Sequence, residues 1–585
     1  MKRGAFWREE NRKKEILLIL GLALMCAAFV FAGNAMAQGT GRLVSTKWLA
    51  EHRDDPKLVI IDASKTPAYL AKHIPKAVSA SFSGEDYKSY GIDTSYGGDD
   101  LLVDPNSCLP WHAGPPRYVE SVMRSLGINN DSTVVVYDEG ATFHATMFFF
   151  SLSYHGHENA YVLDGGLPKW EREGYPVTSQ VPQVDRGDFV ARIKDPSVIV
   201  DTDYVLTRLY KPDTVVVYTV NSNWYYGEYL AYNRPGHIPS SLLAPYPDQF
   251  QKDKTWRPVD LLRRQYAAQG ILPEKEIIVY CGGNPASTSG YFTLRHVLNY
   301  PNVKLYYDAT TGWLKDPRDL PMHTYQNQHL IRDVLWVRWW AGTRIQYLLT
   351  DPGTIVVDVR PEEQYKAGHI PYSVNIPVLE LMGRGTMTLN DWENLLGQKG
   401  IGRHKEVVVC DDQKGDAASA MFWLLEYLGH PKVSILKGGL TAWRAWDLKL
   451  TADETIIATP KTKFDVAVSP ETFVATPQRE KRLADANEEP DFYGFPRVWI
   501  VSSKTVPPRV PGADHKHIPW DENLDKDGNL KSAGELIKVY EGAGILKYAE
   551  IVCYADSIED ATMTYYALRT LGYPRVRVYL PQGEL

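Results

Sequence analysis

The stretch VYCGGNPAST, Val279 to Thr288, closes an apolar run with a cysteine and follows it with small and turn-forming residues. A cysteine does chemistry as its thiolate, so the anion must be stabilised before it can attack anything. A helix N-terminus with its amides turned inward does this without a charged side chain. Backbone curled around one sulfur atom excludes bulk and asks for unusual φ values. Gly282, Gly283 and Asn284 all tolerate φ > 0. Pro285 and Ala286 stiffen and narrow the turn, and Ser287 or Thr288 is suited to cap the helix that follows. These residue types suit a cradle holding the Cys281 thiolate uncovered at its mouth. The competing reading is a small buried hydrophobe beside an ordinary turn, where free cysteines most often sit.

The remaining cysteines offer less. Cys26, Cys108, Cys410 and Cys553 show no CxxC or Cys/His metal spacing, so neither a metal nor another cofactor is expected. Cys108 lies in a Pro-rich loop with no partner pattern. Cys410 and Cys553, like Cys281, end or nearly end apolar runs (VVVC, EIVC, IIVYC). Strand ends in parallel sheets are where α/β proteins place their chemistry. His155 and His157 flank Gly156 and read as a helix end. LDKDGNL lacks the full spacing and terminal Glu of a calcium loop and reads as a turn. VRWWAG, Val337 to Gly342, reads as core or packing between units.

The elements that position Cys281 recur along the chain. His-Ile-Pro occurs at His73, His237, His369 and His517, each time after a β-branched run (LVIIDAS, TVVVYTV, TIVVDVR, RVWIVSS). Each is followed by a second apolar run (STVVVYDEG, EIIVYCGG, EVVVCDDQ, AEIVCYAD) and then a helix-like segment and a further strand. Such alternation implies an α/β fold in which each unit is a mostly parallel sheet flanked by helices on both faces. The 585 residues exceed what one core serves. Polar and Pro-rich stretches divide them into units at 40–180, 181–325, 326–452 and 465–585, the last degenerate and lacking the run to a Trp seen at Trp170, Trp313 and Trp443.

A formal charge of −7 gives no electrostatic case for nucleic acid. Residues 1–37 read as a signal peptide: basic residues precede an apolar run from Ile16 to Ala32, and Ala35-Met36-Ala37 is a cleavage pattern. Cleavage after Ala37 would deliver the chain outside the cytoplasm, most simply to the periplasm, with no membrane span afterwards. The alternative is an uncleaved anchor, since the run is near the lower limit of a spanning helix.

The quoted runs, together with RPGHIPSS, AGHIPYSVNIP, VVDVRPEEQY, VYDEGATFHA, YVLDGGLPKW and ILKGGLTAW, resemble the rhodanese (thiosulfate/mercaptopyruvate sulfurtransferase) family, as four tandem rhodanese-like domains. The resemblance implies a sulfurtransferase in which Cys281 carries a persulfide, taken from a thiosulfate- or mercaptopyruvate-like donor and passed to a thiol or other acceptor. It implies that Gly282, Gly283, Asn284, Pro285, Ala286 and Ser287 form the substrate loop. It also implies an inactive first domain packed against the catalytic second.

Register extends the comparison. Asp138, Cys281 and Asp411 each precede the next equivalent turn by 18 residues, so Asp138 and Asp411 take the nucleophile position. Cys410 falls one residue earlier, on the opposite face of its strand. Ala555 takes the position in the fourth unit, two after Cys553. A longer loop beginning at Cys410 is the alternative, and its three aspartates oppose a thiolate. The family's Asp-x-Arg survives as Asp358-Val359-Arg360, but the second unit has Thr219-Val220-Asn221 in its place. Arg234, just before His-Ile-Pro, is the candidate replacement for the lost arginine. That loss, and a loop without basic residues, count against thiosulfate as donor. They also motivate a second reading: a non-catalytic scaffold or binding protein in an extracytoplasmic redox or sulfur-metabolism assembly, with a protein partner in the cell envelope.

Overall fold

The computed structural model describes residues 41–80, 116–228, 233–283, 285–341, 353–459, 467–485, 495–511 and 515–580. The expected leader, Cys26, Cys108 and Asn284 lie outside the described residues. The β-branched runs form strands because each is a near-continuous apolar stretch buried on both faces. In the first sheet, β1 (Leu43–Val44), β2 (Leu58–Asp62), β3 (Val78–Ser79), β4 (Thr133–Tyr137) and β5 (Ala160–Leu163) lie in the order β1-β5-β4-β2-β3. The second contains β6 (Ile199–Val200), β7 (Thr214–Tyr218), β8 (Leu242–Leu243), β9 (Glu276–Tyr280) and β10 (Val303–Tyr306) in the order β6-β10-β9-β7-β8. The third repeats it with β11 (Ile331–Arg332), β12 (Thr354–Asp358), β13 (Val374–Asn375), β14 (Glu406–Cys410) and β15 (Val433–Leu436) as β11-β15-β14-β12-β13.

The fourth sheet has four strands, β16 (Arg497–Val501), β17 (His515–His517), β18 (Glu550–Tyr554) and β19 (Val576–Val578), ordered β17-β16-β18-β19. Its counterpart of the short first edge strand is reduced to one parallel bridge, Leu483 to Val578. The sheets are parallel. Parallel strands need crossovers, which the intervening helices supply.

The recurring His-Ile-Pro is a staple. His73, His237 and His369 exchange backbone hydrogen bonds with Thr178, His323 and Thr451, tying the loop to the segment that leaves each sheet. Each ring is buried, stacks on a tyrosine (Tyr69, Tyr225, Tyr365) and donates Nδ1–H to that tyrosine's carbonyl. His517 is exposed and lies in β17.

The chain forms two compact units: Met1–Val220, Leu243–Arg263 and Leu272–Pro317 make one, and Asn221–Leu242, Arg264–Ile271 and Arg318–Leu585 make the other. Each holds one pair of long, buried helices that follow the nucleophile-position strands: α1 (His144–Tyr154) with α2 (Pro285–Phe292) in the first, and, past α3 (Val334–Trp340), α4 (Asp416–Tyr427) with α5 (Ile558–Thr570) in the second. Within each pair the two helices meet at matching places. Thr146 meets Thr288 and Ser419 meets Thr562, both at 3.1 Å between hydroxyl oxygens. Edge-on aromatic contacts follow one turn later, Phe149 on Phe292 and Phe422 on Tyr566.

The second pair also buries a carboxylate. Glu426 accepts two hydrogen bonds from Arg569, at 2.9 and 3.2 Å, and one from Tyr565, and Arg482 adds a second cation at 3.6 Å. Burial alone would push the Glu426 carboxyl up, but the two guanidinium groups hold it below its ordinary value.

On α3, Val337 is buried, as is Ala341 just beyond it, yet Trp339 and Trp340 are 71% and 58% exposed. The expected packing of VRWWAG therefore holds for one face only, because seven residues of helix turn two of its three tryptophans outward.

Arg569→Met leaves Glu426 buried against Arg482 alone, and the calorimetric transition of this unit should lose about 3–5 kcal/mol. The double variant with Glu426→Leu should recover most of that loss.

Candidate active site at Cys281

Cys281 is the first residue beyond β9, and α2 begins four residues later at Pro285. Proline at the first helical position needs no amide partner and presets φ for the helix. Ser287 and Thr288 consequently fall inside the first turn and not at the cap. The Ser287 hydroxyl turns back to the Cys281 sulfur, and Thr288 donates to the Pro285 carbonyl. The sulfur receives the amides of Gly283, Ala286 and Ser287 together with that hydroxyl. On its other side the loop is pinned by two threonines. Thr310 donates its amide and hydroxyl to the Cys281 carbonyl at 3.0 and 2.9 Å, and Thr311 does the same to Gly282 at 3.1 and 2.7 Å.

The expected opening is absent: Cys281 is 2% exposed. Burial pushes the thiol up; the three amides and the hydroxyl pull it down, and burial prevails. The site is therefore a cradle under cover. Tyr246 lies nearby, its phenol pushed up first by burial and then by the Asp138 charge and that of Cys281 when ionised. Phe143 meets Tyr246 edge-on at 5.7 Å.

The same position in the other sheets tests the register. Asp138 follows β4, Asp411 follows β14 and Ala555 follows β18, each as Cys281 follows β9. Leu167 N–H donates to Asp138 O and Leu440 N–H to Asp411 O, matching Thr310 on Cys281. Carboxylates fill the amide rings there. Asp138 accepts from Gly140 and Ala145 at 2.7 and 2.9 Å, and Asp411 from Ala418 at 3.3 Å. Burial, with Asp416 nearby, pushes Asp411 up to about 7. Cys410 packs with Val334, Val408 and Trp443 in the core, and burial followed by Asp358 and Asp411 drives its thiol far up. Cys553 is fully buried in β18, and burial raises it as well.

One register is corrected. Asp62 pairs with Tyr137, Asp358 with Cys410, Tyr218 with Tyr280 and Val501 with Tyr554. The Asp-x-Arg of the third domain thus corresponds to Tyr218-Thr219-Val220, one residue before Thr219-Val220-Asn221. The second domain lacks both the carboxylate and the guanidinium. In the third domain Arg360 is buried on Asp358 and the Gly368 carbonyl. Arg234 pairs with Asp319 at 3.0 Å and donates to the Leu320 carbonyl at 2.9 Å. It belongs to the second compact unit and Cys281 to the first.

Sequence reasoning missed Ala309. Gly166 and Gly439 take positive φ beside the loop carbonyls, where a Cβ would lie 2.4 Å from Asp138 O and 2.5 Å from Asp411 O. The second domain has Ala309 at that position, held at φ 53° and fully buried. The clue was DAT at 308–310 where other domains read DGGL or KGGL. Backbone strain of this kind collects at functional sites.

Residues 45–173, 226–316 and 343–445 match the model of the rhodanese-like domain, more than half the chain. The chain belongs to the rhodanese-like family. Its fourth domain shares the parallel order but lies outside those matches. This rhodanese-like chain is 29% identical over 283 residues to a sulfur carrier protein, TtuD, of Thermus thermophilus, covering 46% of this chain and 93% of that one. It is 29% identical over 284 residues to the 3-mercaptopyruvate sulfurtransferase of Escherichia coli K12, covering 46% and 94%. A solved E. coli 3-mercaptopyruvate sulfotransferase with the rhodanese fold is 30% identical over 46% of this chain and 99% of its own, with a TM-score of 0.40. Among the described residues no cluster of His, Cys, Asp or Glu is placed to hold a metal, and no helix is long and apolar enough to cross a membrane.

Iodoacetamide labelling of Cys281 against pH should show a midpoint above that of a free thiol, and Ser287→Ala should move it higher. Cys410 and Cys553 should remain unlabelled while the protein is folded. Ala309→Gly relieves an L-residue held at positive φ and should raise stability by about 1 kcal/mol after the entropy cost of glycine, read as an upward shift of the melting temperature.

Proposed function

We propose that this rhodanese-like chain is a sulfurtransferase working through a Cys281 persulfide. The observation that carries the reading is the ring of Gly283, Ala286 and Ser287 amides and the Ser287 hydroxyl on the Cys281 sulfur, at a strand end where the other domains place Asp138, Asp411 and Ala555. The similarity to a sulfur carrier and a 3-mercaptopyruvate sulfurtransferase supports it.

In the first step the Cys281 thiolate attacks the sulfane sulfur of a donor. A new S–S bond forms, and the donor's bond to that sulfur breaks with its electron pair leaving on the donor. In the second step an acceptor thiolate attacks the outer sulfur, the S–S bond to Cys281 breaks, and the thiolate is regenerated. The main-chain ring serves both steps. It stabilises the attacking anion and then the terminal sulfur, which carries the negative charge of the persulfide. Because Cys281 is covered, each step requires side chains over the sulfur to move aside. The absence of both Asp and Arg at Tyr218 and Val220 disfavours an anion clamp of the third domain's kind and favours a donor other than thiosulfate. The leader-like residues 1–37 support export to an extracytoplasmic compartment. Edman sequencing of the protein recovered from cells should then begin at Gln38.

The buried thiol and the three domains without a cysteine at this position favour a second reading, a binding scaffold for a partner in the cell envelope. Intact mass after incubation with mercaptopyruvate, thiosulfate and a persulfide donor separates the two. A gain of one sulfur atom that disappears in Cys281→Ser is the expected result; an unchanged mass with all donors would leave the scaffold.

A further inference from the structure

The second compact unit contains a cation that the sulfur chemistry does not use. Lys547 lies just before β18, half-buried, with its ammonium lodged against two neutral acceptors: the Tyr226 hydroxyl at 2.8 Å and Gln326 Oε1 at 2.5 Å. The rings of Tyr225 and Tyr226 stand 5.5 and 5.4 Å from Nζ. No carboxylate pairs with it among the described residues; Glu541 acts on it only from a distance. A lysine has three N–H donors and no acceptor, so the third is left for whatever enters beside it.

What lies beside it is a cavity of about 130 Å³, lined by Lys547 with Gln326, Asn327, Arg569 and Tyr573 among others. That is far more room than one water molecule requires. The lining is rich in donors and poor in negative charge. Arg569 already has its own counter-ion in Glu426, so the unmatched charge is that of Lys547. The other titratable groups facing it are neutral at ordinary pH: burial pushes His237 down to about 3 and pushes the Tyr226 and Tyr573 phenols up.

We propose that this pocket binds a small oxyanion, held by the Lys547 ammonium and the amide side chains of Gln326 and Asn327. The site belongs to the fourth domain and the segments around it, not to Cys281, and stands whether or not Cys281 transfers sulfur. A cation placed among aromatic rings and amides without a carboxylate is costly to desolvate, and an anion at its third donor offsets that cost.

The sign of the pH dependence follows. Burial lowers the Lys547 amine to about 7. An anion stabilises the charged form and raises it again. Binding at pH 8 must therefore take up a proton, and affinity must fall as pH rises above 7, by up to tenfold per unit.

The test is calorimetric titration of the full chain with inorganic sulfate, which has no proton to exchange near neutrality, at constant ionic strength in chloride. Measured at pH 8 in buffers of different ionisation enthalpy, wild type and Cys281→Ser should both bind sulfate with net proton uptake. Lys547→Met should lose at least tenfold in affinity together with the uptake. No sulfate heat, binding without proton uptake, or uptake unchanged in Lys547→Met would each overturn the proposal. Should Lys547→Met fail to fold, the proton uptake of the wild type decides alone, and Asn327→Leu supplies the variant: reduced affinity with uptake retained supports the site, and unchanged affinity overturns it.

Discussion

A set of inward-pointing main-chain N–H groups at the end of the central strand is the constraint around which the first three domains are arranged. Buried amides must be satisfied, so the ring needs an acceptor at the first residue past the strand. Asp138 and Asp411 meet this need with carboxylate oxygens, and Cys281 meets it with sulfur. The fourth domain has Ala555, which has no acceptor to offer, and its loop closes another way: the Ser557 side chain caps α5, and the Asp556 amide goes to Ser503. The occupant of one position thus decides whether a carboxylate, a sulfur or no side-chain acceptor sits at the same turn.

Burial competes with the ring. In the second domain three amides and a hydroxyl do not fully offset the loss of water around Cys281, and the thiol remains above its ordinary value. Burial that raises the thiol lowers the share of thiolate, the form that reacts.

Helices of successive domains pack in pairs. The helix that begins at each cradle packs on its counterpart through matched hydroxyl and aromatic contacts, Thr146 on Thr288 and Ser419 on Thr562. The second pair adds the buried Glu426 and its arginines. Ala309 bears on the cradle from the other side, a strained residue where the sister domains have glycine.

The sequence alone determined the repeated α/β plan, the helix end at Gly156 and the equivalence of Asp138, Cys281, Asp411 and Ala555, because β-branched runs, His-Ile-Pro and turn glycines are local signals with fixed spacing. It placed Asp138, Cys281, Asp411 and Ala555 at one position without coordinates. Tertiary structure decided the rest. Exposure of Cys281 depends on what other segments cover it, so a loop that reads as an open cradle is closed. The Asp-x-Arg register slipped by one because strand pairing, not loop similarity, fixes which residues are equivalent. The partners of Lys547, Tyr226 and Gln326, lie 321 and 221 residues away in the chain, and no local pattern encodes a contact of that range.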